Sequence, residues 1–216
     1  MAKRVLHDEY FQRAKAEGYV ARSAYKLIEV QERRPIVRRG DFVLDLGCAP
    51  GSWLQVASKL VGKSGRVMGV DLSRVDREVR AKNVRTEVGD VFKVGANVMV
   101  GWNIGERYHA VLSDMAPATS GSQSMDHFRS VELCRRVLAV CPAVLRPGGN
   151  MVMKVFEGEA YMELLDETRR LFVDVKGLKP KATRDVSREM FVIARGMKES
   201  KLVGDDVGVG GAGDGA

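Results

Sequence analysis

The chain has 216 residues, of which 45% are hydrophobic, and these values suit one globular domain with a full core. No apolar run is long enough to cross a bilayer, and the mixed charges of residues 1–10 are unlike a secretory signal peptide. The net charge of +7 favours a polyanionic partner, with nucleic acid as the first candidate.

Two helices are predicted before the first strand, over residues 8–18 and 22–34, with a break at Gly18. The second helix has an ordinary amphipathic pattern, so Lys26 is not distinguished from other surface lysines by the sequence alone. We expect residues 1–39 to form a basic helical extension that packs on the domain.

A glycine-containing loop, DLGCAPGSW at residues 45–53, separates a predicted buried strand at 42–46 from a helix that begins near Ser52. Gly47 and Gly51 allow a tight turn and a close approach of the backbone to a ligand. Strand, glycine turn and helix in this order form the entry to a nucleotide-type site in a doubly wound α/β fold. A tight turn without a ligand is the alternative.

The loop lacks the G-x-G-x-x-G pattern that receives a pyrophosphate, since Ala49 stands two residues after Gly47 and Pro50 removes a backbone donor. These features suit a ligand without phosphates. S-adenosylmethionine is such a ligand, and the loop looks like the first motif of the methyltransferases that use it.

Acidic residues end the next two predicted strands. Asp71 closes the run from Arg66, where a carboxylate commonly accepts hydrogen bonds from the ribose hydroxyls of a nucleoside. Asp90 closes the run from Val84 and is placed to meet an adenine edge. A helix cap for Asp71 and a turn for Asp90 remain open alternatives.

The fourth predicted strand, 109–117, carries Asp114 at its carboxyl end, where ligands bind in open α/β sheets. Lys154 lies within an otherwise apolar predicted strand, 151–156. A buried ammonium is costly without a partner, so an acid or a polar cleft is expected beside it. If the two strands are neighbours, Asp114 and Lys154 meet at the carboxyl edge of the sheet. They form either a functional pair or a structural ion pair.

Helices are further predicted at about 126–145 and 159–172, the first stopped by Pro147-Gly148-Gly149, and strands at 174–179 and 190–194. From about residue 197 the chain is increasingly Gly-rich, and we expect 197–216 to be a disordered tail.

Five segments together carry a family resemblance over Tyr19 to Gly196. They are ARSAYKL at 21–27, DLGCAPGSW at 45–53, SDMAP at 113–117, PGGNMVMKVF at 147–156 and KPKATRDVSRE at 179–189. In this order they resemble the FtsJ-type heat-shock RNA methyltransferases, which modify the ribose 2′-hydroxyl. The resemblance implies a Rossmann-like S-adenosylmethionine-dependent methyltransferase fold: a mostly parallel seven-stranded sheet, last strand antiparallel, with helices on both faces. The catalytic domain would span 40–196.

The family's K-D-K-E tetrad falls on Lys26, Asp114, Lys154 and Glu189, and its cofactor positions fall on Gly51, Trp53, Asp71, Asp90 and Asp114. Ala118 replaces the Asn that is frequent after M-A-P in the family. The resemblance implies that Lys154 accepts the proton of the hydroxyl and that Asp114 orients the lysine side chain. Lys26 would hold the ribose or phosphate, and Glu189 would play a supporting role in the site. No metal is expected, because the sulfonium of the cofactor already activates the methyl group.

The positive charge is concentrated in two flanks. Residues 1–39 hold 10 Lys and Arg against 5 Asp and Glu, and residues 176–201 hold 8 against 3, whereas 40–175 hold 17 of each sign. Such flanks attract RNA, although a solvated basic surface gives the same pattern.

We therefore expect a monomeric enzyme that methylates a uridine ribose of large-subunit (23S-type) rRNA, in the assembled 50S subunit. A tRNA 2′-O-methyltransferase, a non-catalytic RNA-binding assembly factor and a small-molecule methyltransferase are the alternatives. Three cysteines without metal-site spacing indicate a reducing, cytoplasmic setting, with no membrane partner.

Overall fold

The computed structural model describes residues 2–75, 79, 81–93, 107–182 and 188–199. Its helices are α1 (Ala2–Ala16), α2 (Ala24–Arg33), α3 (Ser52–Val61), α4 (Gln123–Val144) and α5 (Tyr161–Leu171). Its strands are β1 (Phe42–Leu46), β2 (Arg66–Asp71), β3 (Val84–Val88), β4 (Tyr108–Ser113), β5 (Leu145–Phe156), β6 (Phe172–Leu178) and β7 (Glu189–Met197).

The seven strands form one sheet in the order β3-β2-β1-β4-β5-β7-β6. Strands β1 to β5 pair in parallel, and β7 runs antiparallel to both of its neighbours, β5 and β6. The chain order reverses at β1 and β4, so the crevice between their carboxyl ends is the expected place for a ligand. The expected Rossmann-like fold is confirmed.

Helices cover both faces of the sheet, which is why the central strands are apolar on both sides. On one face, residues of α2 and α3 pack with alternate residues of β1, β4 and β7; Leu27, Trp53, Val43, Leu112 and Phe191 are examples. On the other face, α4 and α5 pack on the intervening residues, such as Leu44, Val111 and Val192. Because one face of α2 packs in this core cluster, the packing fixes the position of the helix and of the side chains that it carries.

The main differences from the expected elements are in three places. Strand β4 ends at Ser113 rather than at residue 117, so Asp114 directly follows the strand. Helix α1 begins at Ala2 rather than near residue 8, since nothing before residue 8 breaks a helix. Strand β5 begins at Leu145, so Pro147-Gly148-Gly149 lies inside it. The pairing of β4 with β5 shifts register between Tyr108 and Ala110, and this irregularity accommodates the proline and glycines.

Two expected features lie outside the described residues: most of the Gly-rich tail, 200–216, and part of the last motif, 183–187. In the portion of the chain that the structure describes, no helix combines the length and apolar character needed to span a membrane.

Candidate active site

The glycine loop after β1 has a backbone that only glycine suits at position 47. Gly47 has a φ of +76°, and a Cβ there would lie 2.3 Å from Cγ of Met115. The carboxylate of Asp71 holds the loop from the end of β2, because it accepts hydrogen bonds from the backbone N–H groups of Ala49 (2.9 Å) and Ser73 (2.8 Å). The loop is therefore fixed before any ligand binds.

A cavity of about 320 Å³ opens beside this loop, at the carboxyl ends of β1, β2, β3 and β4. Its lining includes three acids from three strand ends, Asp71, Asp90 and Asp114. Leu72 and Phe92 also line it, with 72% and 52% of their surfaces exposed. The sequence analysis missed these two apolar residues. Leu72 directly follows the predicted cofactor residue Asp71, and Phe92 lies two residues after the predicted cofactor residue Asp90.

Lys154 has the partner that its buried position requires. It is 7% exposed, and its Nζ lies 2.8 Å from Oδ1 of Asp114 and donates to the main-chain oxygen of Asp114 at 2.7 Å. Asp114 lines the cavity and Lys154 does not, so the ammonium lies next to a residue of the cavity wall. The expectation that the two residues meet at the carboxyl edge of the sheet is therefore met.

Lys26 and Glu189 form the second ion pair, with 2.6 Å between Nζ and Oε2. Lys154 lies opposite Phe191 in the β5–β7 ladder, and Glu189 is two residues before Phe191. Residues at i and i+2 of a strand share a face, so Glu189 and Lys154 project to the same side, the side covered by α2. The structure thus gathers the four tetrad residues as two adjacent ion pairs.

Trp53 and Gly51, predicted cofactor residues, are not among the residues that line the described cavity. Trp53 is 2% exposed, stacks on Phe191 with 5.7 Å between ring centroids, and donates from Nε1 to the Ser23 oxygen at 2.9 Å. It thereby ties α3 to β7 and to the start of α2, behind the tetrad. A Cβ at Gly51 would lie 2.6 Å from Cγ2 of Val79.

Asp45 is a buried acid close to Asp114 and Asp71 that the sequence analysis did not single out. It is fully buried in β1, and neither carboxylate oxygen has a hydrogen-bond partner among the described residues. Burial raises its pKa well above the usual value of 3.8, and the nearby charges of Asp114 and Asp71 raise it further. The available sequence signal was a single charged residue within an apolar strand, and the same kind of signal indicated Lys154.

Replacing Gly47 with alanine should weaken binding of S-adenosylhomocysteine, the product of the cofactor that the sequence predicts, because the new methyl group displaces Met115, which lines the cavity. Gly148→Ala is the matched control: its φ is +74° and nothing lies within 4 Å of the new Cβ. Both variants carry backbone strain, of order 1–3 kcal/mol in the free energy of unfolding. Calorimetric titration should show lost affinity in Gly47→Ala alone; equal affinities for the two variants would contradict this account of the loop.

The chain matches a family model and several proteins of known description. The model of FtsJ-like methyltransferases matches residues 19–197. A protein of Desulforapulum autotrophicum named ribosomal RNA large subunit methyltransferase E is 42% identical over 191 residues, or 88% of this chain and 93% of the relative. A protein of the same name from Methanosarcina mazei is 41% identical and is aligned over 97% of this chain and 79% of its own length.

Solved structures share the fold. A Plasmodium falciparum protein described as a ribosomal RNA methyltransferase has a TM-score of 0.73 at 25% identity, with 84% of this chain and 100% of that chain covered. Fibrillarin of Aeropyrum pernix, solved with natively bound S-adenosyl-L-methionine, has a TM-score of 0.59 at 20% identity, covering 82% of this chain and 75% of its own. The likeness to fibrillarin concerns the fold alone.

Proposed function

The chain belongs to the FtsJ-like methyltransferase family, and we propose that it transfers a methyl group from S-adenosylmethionine to a ribose 2′-hydroxyl of large-subunit ribosomal RNA. The observation that carries the proposal is the contact of Lys154 with Asp114 at the edge of the cavity. A buried lysine held by an acid beside a ligand cavity is suited to proton transfer, whereas a protein that only binds RNA has no use for it.

The residues of the cavity fit S-adenosylmethionine, which supplies a methyl group activated by a positively charged sulfur. No basic side chain is among the described residues that line the cavity, so a ligand without phosphates suits it. Asp71 and Asp90 would accept hydrogen bonds from the ribose hydroxyls and the adenine amino group. Leu72 and Phe92 offer apolar surface to a flat ring. Gly51 and Trp53, which the sequence predicts as cofactor residues, would support the cofactor loop from behind the cavity wall.

The carboxylate of Asp45, which has no hydrogen-bond partner among the described residues, also fits a cationic cofactor. A buried acid without partners is costly when it is charged, and a cation brought next to it removes that cost. The acid lies in β1, between β2 and β4, whose ends carry Asp71 and Asp114 in the cavity wall. We propose that Asp45 attracts the α-ammonium of the methionine part of the cofactor.

The bound cofactor would supply its activated methyl group to the 2′-oxygen of the ribose, with S-adenosylhomocysteine as the leaving group. The hydroxyl proton goes to Nζ of Lys154, which must be uncharged at that moment. Asp114 orients Nζ through the carboxylate and the main-chain oxygen. Lys26, held by Glu189, would contact the ribose or the adjoining phosphate.

The proposed substrate follows from the names of the relatives and from the charge of the chain. Relatives at 41–42% identity are named ribosomal RNA large subunit methyltransferase E. We propose a uridine in the assembled large subunit, a monomeric enzyme and a cytoplasmic location. All three cysteines, Cys48, Cys134 and Cys141, are free and buried, as suits a reducing compartment.

Incubation with labelled S-adenosylmethionine tests the substrate. Purified large subunits from cells that lack the protein should accept label in their rRNA, whereas small subunits and tRNA should not. Transfer should fall steeply with added salt, because basic side chains bind the RNA phosphates. Label in tRNA alone would contradict the rRNA proposal, and salt-independent transfer to a small acceptor would contradict an RNA substrate.

A further inference from the structure

A basic groove of about 720 Å³ lies at the C-terminal end of α3, the end that is remote from the glycine loop. We name it the α3 groove and define it by six of its lining residues, Lys59, Lys63, Ser64, Arg66, Lys82 and Asn83. The four cationic residues are exposed, and no carboxylate is among the described residues that line the groove. The groove is therefore a concentrated positive surface.

This concentration of charge arises from the fold. All four cationic residues come from residues 40–175, which hold 17 Lys and Arg and 17 Asp and Glu. The turn after α3 and the turn before β3 bring two separate segments together, and no acid is among the described residues that line the groove. The α3 groove is thus distinct from the two basic flanks of the chain.

Hydrogen bonds of Asn83 fix the two walls of the groove. Its Nδ2 donates to the main-chain oxygens of Ser58 (3.2 Å) and Gly62 (2.9 Å), and its Oδ1 accepts from Oγ of Ser58 at 2.7 Å. Lys63 and Lys82 are the chain neighbours of Gly62 and Asn83. The same bonds that satisfy the carbonyls at the end of α3 therefore hold these two lysines in one groove.

The contacts that the lysines of the α3 groove make within the protein leave them able to bind an anion. Lys59 lies over the ring of Tyr19 at 4.1 Å, a contact that leaves an ammonium able to bind an anion. Lys63 and Lys82 have no hydrogen-bond or ion-pair partner among the described residues. Asn83 donates to the carbonyls of Ser58 and Gly62, and the N–H of Gly40 donates to that of Val61, so these carbonyls do not depend on the lysines.

A second polar cavity, of about 420 Å³, lies at the opposite edge of the sheet from the active site and differs in charge. Arg38, Arg146 and Arg195 line it together with Asp41 and Asp174. Carboxylates mixed among the arginines neutralise much of their field. The α3 groove is the stronger candidate for a polyanion.

We propose that the α3 groove binds the phosphate backbone of the RNA substrate at a place separate from the methylated ribose. The proposal rests on the proposed function, because it assigns the groove to the same RNA molecule. Helix α3 links the two places: its ten residues span about 14 Å at about 1.5 Å per residue, from the glycine loop to the groove. An RNA longer than a few nucleotides can reach both, and the contact would anchor the substrate without reading its sequence.

The double variant Lys63→Gln, Lys82→Gln tests this assignment against the matched control Arg146→Gln, Arg170→Gln, which removes the same charge from exposed positions elsewhere. Binding of a large-subunit rRNA transcript is measured by filter binding at several salt concentrations, and KM, kcat and cofactor affinity are measured with large subunits. The lysine variant should bind the transcript more weakly, with a salt slope smaller by roughly 1.4–1.8. Its KM should rise, while kcat and cofactor affinity stay as in the wild type.

Equal salt slopes for the lysine variant and the control would overturn the proposal. So would normal binding of the transcript together with a raised KM on subunits, because the groove would then contact a ribosomal protein. The proposed function fails separately, if wild-type protein transfers no methyl group to large subunits. The binding measurement still decides the role of the groove in that case, since it needs no turnover.

Discussion

Lys154→Arg is expected to retain the fold and the cofactor affinity of the protein but to lower the rate of methyl transfer by roughly 10²–10⁴-fold. Arginine keeps a positive charge next to Asp114, so the ion pair that Lys154 makes at 2.8 Å is preserved in kind. A guanidinium does not lose its proton in proteins and therefore cannot accept one from the 2′-hydroxyl. The variant separates proton transfer from a merely structural ion pair.

Lys154→Ala should lose as much activity and some stability as well, because it leaves the half-buried carboxylate of Asp114 without its cation. Single-turnover rates, cofactor titration and urea unfolding of both variants make the comparison. Methyl transfer by Lys154→Arg at the wild-type rate would show that Lys154 is structural.

Asp45→Asn should weaken cofactor binding but stabilise the cofactor-free protein at neutral pH. A hydrogen bond to a charged group is worth about 1.5–3 kcal/mol, so loss of the carboxylate should weaken binding of S-adenosylhomocysteine roughly 10- to 100-fold. Without the cofactor, the amide should be tolerated better at neutral pH than a carboxylate that has no partner among the described residues.

The pH dependence of the free energy of unfolding shows whether the Asp45 carboxyl stabilises or destabilises the folded protein. The pKa of Asp45 is raised in the folded protein by burial, so the folded state holds a proton that the unfolded state releases above its usual pKa of 3.8. The contribution of Asp45 to stability is therefore present below about pH 4 and declines as the pH rises through the folded-state pKa. Asp45→Asn should lack this decline in urea unfolding measured from pH 4 to 8.

Asp174→Asn is the matched control, since it removes a carboxylate that pairs with Arg34 at the far edge of the sheet. It should leave the affinity for S-adenosylhomocysteine unchanged. If Asp45→Asn binds the cofactor product as tightly as this control does, Asp45 is not part of the cofactor site.

Much of the fold follows from local patterns in the sequence. The apolar runs that predict β1, β4 and β5 are buried on both faces in the structure. The acids at the carboxyl ends of β2, β3 and β4 reach one edge because these strands are parallel. Lys154 and Asp114 could be paired in advance because a buried ammonium requires a partner. The family resemblance named Lys26 and Glu189, but the contact between them was not predicted, since neither residue stands out in its own element.

Other features depend on packing that sequence periodicity does not specify. Trp53 points away from the cavity because its ring stacks on Phe191 of β7, a strand distant in sequence. The α3 groove joins residues 59–66 with Lys82 through the hydrogen bonds of Asn83, so charge counted along the chain cannot reveal it. Strand β5 extends past a proline and two glycines because its pairing with β4 is irregular.

The position of the transferred methyl group tests the central claim most directly. Large subunits from cells that lack the protein are labelled with S-adenosylmethionine by the wild type, and the rRNA is digested with alkali, which cleaves only beside free 2′-hydroxyls. The account predicts label in alkali-resistant dinucleotides, with none for Lys154→Arg. Label released in mononucleotides would place the methyl group on a base and contradict the assigned chemistry.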